Sequence, residues 1–171
     1  MTTGRDNSRP SGARDEPEQA IGIFDSGVGG LSVAKEIRAL LPGEDLFYFA
    51  DSRYCQYGEK PPDFIRERAF AITRFLLDRG CKMIVVACNT ASEAALGALR
   101  DGFPAVPFVG VEPAVKQAAS YTKKQRVGVL ATALTLAGNR FSALVERFAS
   151  GLTVITQPSP AVVEAVEAGK L

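Results

Sequence analysis

From Ile21 onward the chain alternates short apolar runs with amphipathic helical stripes, and this alternation constrains the fold more than any other feature. Ile21-Gly22-Ile23-Phe24, Leu46 to Ala50, Met83 to Ala87, Val106 to Val109, Arg126 to Ala131 and Leu152 to Thr156 read as strands. Helices are expected from Leu31 to Leu41, stopped by Pro42-Gly43, and along the stripe from Phe64 to Leu77, ended by Gly80. Further helices are expected after Cys88, from Pro113 to Ser120, from a Thr135 cap to Phe148, and from about Ala161 to the chain's end. Strand–helix–strand alternation implies parallel pairing with right-handed crossovers. The expected fold class is therefore α/β, with two parallel-sheet lobes over residues 21–104 and 105–171. Pro107 argues that its strand lies at an edge. Residues 1–20, rich in Gly, Ser, Pro, Asp, Glu and Arg without periodicity, read as a disordered N-terminal tail.

Several chemistries are excluded by composition. The chain has no histidine and three cysteines (Cys55, Cys81, Cys88) without C-x-x-C spacing, so no metal site is expected. Ser-His-Asp and Cys-His catalysis are excluded within it, which leaves Cys, Asp, Glu, Lys or Tyr for any proton transfer. Twenty Lys/Arg against nineteen Asp/Glu, dispersed, give no reason to expect nucleic acid or a membrane surface as partner. No apolar run approaches the ~18 residues of a membrane span. With a polar N-terminus where an export signal needs an apolar stretch, a cytoplasmic location with reduced cysteines is expected.

Three polar segments follow the first three strands. Asp25-Ser26-Gly27-Val28-Gly29-Gly30-Leu31-Ser32 exposes backbone amides, yet lacks the Lys of a phosphate loop and the third Gly of a dinucleotide fingerprint. A tight turn and a polar site explain it equally. Asp51 to Pro61 is long and polar but carries Tyr54 and Tyr57, and taken alone reads as a solvated loop. Cys88-Asn89-Thr90 stands where a strand ends and a helix begins, with Asn89, Thr90 and Ser92 as cap candidates. A helix start favours thiolate, so Cys88 is expected to be reactive near neutral pH; a buried inert thiol is the alternative. Cys81, at the opposite end of its strand, is assigned to packing. Thr132 and Thr135 offer hydroxyls from the second lobe or serve as helix caps, the better fit for Thr135. Open α/β sheets bind ligands at such strand ends, and this set suits a small carboxylate-bearing ligand.

Together these segments resemble glutamate racemase, of the cofactor-independent aspartate/glutamate racemase superfamily. The markers are Phe24 to Val33, Tyr57-Gly58-Glu59-Lys60, Val86 to Ala91, Gly110-Val111-Glu112-Pro113-Ala114, and Gly128 to Thr132 with Thr135-Leu136. The resemblance implies interconversion of L- and D-glutamate, supplying D-glutamate for peptidoglycan, by two cysteines on opposite faces of the substrate and without a cofactor. It implies that Cys88 is the first of these cysteines. It matches Asp25, Ser26, Tyr57, Gly58, Asn89 and Thr90 to substrate-binding positions. The family's second cysteine lies in a Cys-Thr-His motif that nothing here matches. The family also returns to complete its first lobe. The chain is thus expected to be the N-terminal portion of such an enzyme, with the second lobe incomplete, the first lacking its return segment, and little activity alone. An uncompleted lobe exposes apolar surface and leaves a homodimer open. Alternatives are another superfamily racemase, acting on aspartate or a hydantoin, and a non-catalytic glutamate-binding or regulatory module.

Overall fold

The computed structural model describes residues 19–170, so the expected tail lies almost wholly outside the described residues. Strands β1 (Ile21–Asp25), β2 (Leu46–Ala50), β3 (Met83–Val86) and β4 (Phe108–Gly110) form one parallel sheet in the order β2-β1-β3-β4. Strand β1 is central and buried on both faces, as its unbroken apolar run requires. Ile21 and Ile23 meet Val33, Ala34 and Ile37 of α1 (Leu31–Leu40) on one face. Phe24 points the other way, into a core built with α2 (Pro62–Leu77) and α3 (Asn89–Gly102). Gly22 shares that second face. A Cβ there would lie 2.9 Å from Ile84 Cδ1 and 3.2 Å from Leu76 Cδ1, so α2 packs against bare backbone.

A second, two-stranded parallel sheet pairs β5 (Arg126–Ala131) with β6 (Thr153–Pro158). Val127 and Val129 of β5 pack with Val115 of α4 (Val115–Tyr121) and with Phe141, Leu144 and Ala149 of α6 (Asn139–Ala149). The short helix α5 (Ala133–Leu136) follows β5, and α7 (Pro160–Glu167) follows β6.

Two expectations are corrected. Strand β4 pairs with β3, from Ile84↔Phe108 to Val86↔Gly110, so it is the edge of the first sheet and does not open the second. The boundary drawn at 104/105 therefore moves beyond Gly110. Burial explains the choice: Phe108 joins the first core, beside Phe103. Secondly, the helix expected from a Thr135 cap to Phe148 is two helices. Thr132 caps α5 by accepting the Thr135 N–H, and α6 starts afresh after Gly138. A Cβ at Gly138 would collide with the Glu93 carboxylate, which instead accepts the Arg140 and Phe141 N–H groups at 3.0 and 3.1 Å. A carboxylate at a helix start is electrostatically favoured, and Glu93 of α3 thereby holds the second lobe to the first.

The core assignment has a direct thermodynamic test. Leu96→Ala, at a fully buried position, is expected to lower stability in urea unfolding by about 2–5 kcal/mol. Leu40→Ala, at a position 78% exposed, is expected to stay within about 0.5 kcal/mol of the parent. Equal losses from both would place the core elsewhere.

Candidate active site

Parallel register brings the carboxyl ends of β1, β2 and β3 side by side. Phe24 pairs with both Phe49 and Val86, so Asp25, Asp51 and Cys88 leave the sheet along one edge. Asp25 is buried, and its Oδ2 accepts the Gly30 N–H at 2.9 Å, folding the glycine-rich loop back over the strand end. Gly30 is required there. A Cβ would lie 2.8 Å from Asp25 Cβ and 2.9 Å from Ala87 Cβ. The Tyr48 hydroxyl, donating to the Gly27 carbonyl at 2.9 Å, pins the same loop from β2. Tight turn and polar wall are thus one object.

Cys88 is itself the cap of α3: its Sγ accepts the Ala91 N–H at 3.4 Å. That corrects the expectation for Asn89, Thr90 and Ser92. Asn89 and Thr90 are the first helical residues. Ser92 Oγ donates to the Val86 carbonyl and accepts the Val111 N–H, both at 3.1 Å, tying α3 to β3 and the chain beyond β4. The Cys88 thiol lies 3.7 Å from Ser26 Oγ. Burial, and secondly the Asp25 carboxylate, push Cys88 up to about 11, against the opposing hydrogen bonds from Ala91 and Ser26. The expectation of a thiolate at neutral pH is therefore corrected. Desolvation and a like charge outweigh the helix start, and the resting side chain is a thiol.

The loop after β2 makes two 3-10 turns, Ser52–Tyr54 and Tyr57–Glu59, and is not solvated throughout. Tyr57 is 1% exposed and its hydroxyl donates to Asp51 Oδ2 at 2.5 Å. Burial and that bond push its pKa up, so the hydroxyl is committed to Asp51 as a donor. Gly58 abuts the second lobe, where a Cβ would lie 2.7 Å from Thr132 Cγ2. Thr90 Oγ1 and Thr132 Oγ1 are 3.0 Å apart, and Thr132 Oγ1 and Thr135 Oγ1 2.9 Å, a hydroxyl chain across the lobes. Thr132 is the cap and Thr135 the buried member, the reverse of the preference drawn from sequence.

All nine residues singled out from sequence line one cleft of about 570 Å³ between the lobes: Asp25, Ser26, Tyr57, Gly58, Cys88, Asn89, Thr90, Thr132 and Thr135. Val162, Val163, Val166 and Glu167 of α7 close it from the second lobe. Glu167 was not singled out. Its carboxylate accepts the Val28 N–H at 3.0 and 3.2 Å and fills the space over Gly27. The only local signal was its place one turn after Val163, on the apolar face of the last helix. Asp51 and Arg68 were also missed. Cys55, between the two 3-10 turns, lies beside Ser26 and Glu167, where burial, then the Glu167 and Asp25 carboxylates, push its thiol up to about 11. Cys81 packs in the first core as expected. Among the described residues no cluster of three His, Cys, Asp or Glu side chains is placed to hold a metal ion. No helix among them is long and apolar enough to cross a membrane.

The family model for Asp/Glu/Hydantoin racemase matches residues 22–169. The glutamate racemase of Pseudomonas paraeruginosa is 58% identical over 151 residues, which cover 88% of this chain and 57% of that protein. That of Roseiflexus sp. is 52% identical over 92% of this chain and 58% of its own length. Among solved structures, Escherichia coli glutamate racemase in complex with L-glutamate and the activator UDP-MurNAc-ala superposes with a TM-score of 0.83 at 44% identity, covering 90% of this chain and 57% of that one. The Francisella tularensis enzyme in complex with D-glutamate gives 0.74 at 31% identity, covering 89% and 57%. The chain thus spans 57–58% of the length of these four relatives.

The protonation state of Cys88 is open to titration. Alkylation by iodoacetamide, followed by peptide mass spectrometry to resolve Cys88 from Cys55, should be slow at neutral pH and rise towards a midpoint near 11. Asp25→Asn removes a charge that raises the thiol's pKa, while its amide oxygen can still accept the Gly30 N–H, so the Cys88 midpoint should fall. A parent midpoint at or below the ordinary thiol value of about 8.5 would contradict this electrostatic account.

Proposed function

The chain belongs to the Asp/Glu/Hydantoin racemase family, and from that premise we propose that it builds the Cys88 face of a glutamate-racemising site supplying D-glutamate for peptidoglycan. The observation that carries the reading is the buried Cys88 thiol, 3.7 Å from Ser26 Oγ, in a cleft lined by Asp25, Asn89, Thr90 and Thr132. Similarity to glutamate racemases solved with L- and D-glutamate supports the choice of substrate.

The chemistry suits the residues. The α-hydrogen of an amino acid is very weakly acidic, so its base must be strong and the carbanion must meet fixed donors. A thiol raised to about 11 becomes, once deprotonated, a stronger base than an ordinary thiolate. In the proposed step the Cys88 thiolate takes the α-hydrogen as a proton, and the C–H electron pair passes to Cα and its carboxylate. Reversal returns the proton from the thiol to the same face. Hydroxyls and amide groups at Ser26, Asn89, Thr90 and Thr132 are the proposed carboxylate donors. Asp25 is the proposed partner of the substrate ammonium. A cation there offsets the charge that raises Cys88, so substrate binding itself favours the thiolate.

No Cys-Thr-His segment occurs in this sequence to serve the second face. The chain by itself is therefore expected to exchange the α-hydrogen of one enantiomer without accumulating the other. A cytoplasmic location is the setting proposed for this activity. Leu130 and Ile155, exposed on β5 and β6, are the surface a homodimer would cover.

Incubation in deuterated buffer with L- or D-glutamate, followed by proton NMR, tests the reading. Exchange at Cα is expected with one enantiomer and should fall by ~10²–10⁴-fold in Cys88→Ala. Exchange with neither enantiomer, or an unchanged rate in Cys88→Ala, would remove Cys88 from the role.

A further inference from the structure

We propose that Arg68 is a positioning residue for the cleft, acting on it through Asp51 and Tyr57. This deepens the glutamate-binding reading and rests on it. The core face of α2 is made by Ile65, Ala69, Ile72 and Leu76, so packing alone gives no reason for a guanidinium at position 68. Arg68 nevertheless sits in a built setting. Its guanidinium lies over the Tyr54 ring, 4.3 Å from the centroid, and that ring packs edge-on against Phe64 at 5.6 Å. Its Nε donates to Asp51 Oδ2 at 2.9 Å and its terminal nitrogen to Oδ1 at 2.7 Å. Such a bidentate fork fixes a carboxylate in orientation as well as in charge.

Asp51 has a side chain only 4% exposed and follows β2 directly. With both oxygens held by Arg68, it accepts a third bond from the Tyr57 hydroxyl. Tyr57 is itself a wall of the cleft, and the next residue, Gly58, rests on Thr132, which meets Thr90. Arg68, Asp51, Tyr57, Gly58, Thr132 and Thr90 therefore form one contiguous series from the outer helix to the start of α3. Arg68 does not line the cleft. Removing it leaves a buried carboxylate without its countercharge, a state that relaxes by moving the loop or by taking up a proton. Either change releases the Tyr57 ring. Lysine supplies the charge at one point only and cannot reproduce the fork.

The test uses the full 171-residue chain and measures glutamate affinity by its protection of Cys88 from maleimide. A parallel readout uses 13Cζ-labelled tyrosine, assigning the Tyr57 signal through Tyr57→Phe. Arg68→Ala is expected to weaken glutamate binding ~10–100-fold, the scale of a lost charge-assisted network, with Arg68→Lys in between. Millimolar guanidinium should restore part of the affinity in Arg68→Ala and none in Tyr57→Phe. A purely structural role would not show that rescue. Affinity in Arg68→Ala within about twofold of the parent, or a loss that guanidinium leaves untouched, would overturn the proposal. If the parent itself fails to bind glutamate, the functional reading fails, and the Tyr57 signal decides the positioning claim separately. The signal shifts in Arg68→Ala and returns with guanidinium if Arg68 holds the ring, and an unmoved signal overturns the claim. Should Arg68→Ala not fold, Arg68→Lys is read by the same criteria: unchanged affinity and an unmoved Tyr57 signal overturn the proposal, and a shift in both supports it.

Discussion

The parallel pairing of β1 with both β2 and β3 is the constraint on which the cleft depends. Phe24 stands level with Phe49 and Val86, and this register delivers Asp25, Asp51 and Cys88 to one edge. Side chains alternate faces along a strand, so a slip of one residue would send Phe24 towards α1 and withdraw Ile23 from it. Burial on both faces forbids that slip: Ile23 and Phe24 are each fully buried, on opposite sides of the sheet. The hydrophobic requirement of the central strand thereby fixes the spacing of polar groups that contribute nothing to the core.

Once Asp25 and Cys88 are neighbours, their electrostatics follow. The start of α3 supplies the Ala91 N–H to the sulfur, a local favour to thiolate. Burial and the Asp25 charge act the other way and prevail, leaving a protonated thiol in the resting cleft. A site of this kind suits a ligand that brings its own cation. The second lobe contributes hydroxyls through Thr132 and Thr135, beside the Glu167 carboxylate that accepts the Val28 N–H. Its attachment rests on Glu93 capping α6 and on the contact of Gly58 with Thr132, both made by residues of the first lobe.

Much of this was legible in sequence because it is written in local patterns. Six strands and the principal helices follow from apolar periodicity, and the polar exits after β1, β2 and β3 identified residues that line the cleft. What escaped depends on distance or on competition. β4 reads as the start of a new series because nothing local says that Phe108 will pair beside Ile84. The break at Gly138 is imposed by Glu93, 45 residues earlier in the chain. The cap of α3 fell to Cys88 because Ser92 is drawn to Val86 and Val111, an assignment settled by tertiary geometry. Glu167 reaches Val28 across 139 residues, and Arg68 reaches Asp51 across 17, so neither pairing is visible in a periodicity. The sign of the Cys88 shift likewise required burial, which local sequence does not supply.

The most direct measurement of the central claim is a crystal structure of the chain with L- or D-glutamate bound. The account predicts the ligand in the cleft between the lobes, its α-carbon about 3–3.5 Å from Cys88 Sγ, its ammonium towards Asp25 and a carboxylate among Ser26, Asn89, Thr90 and Thr132. Glutamate seated outside this cleft, or held with its α-hydrogen turned away from Cys88, would contradict it.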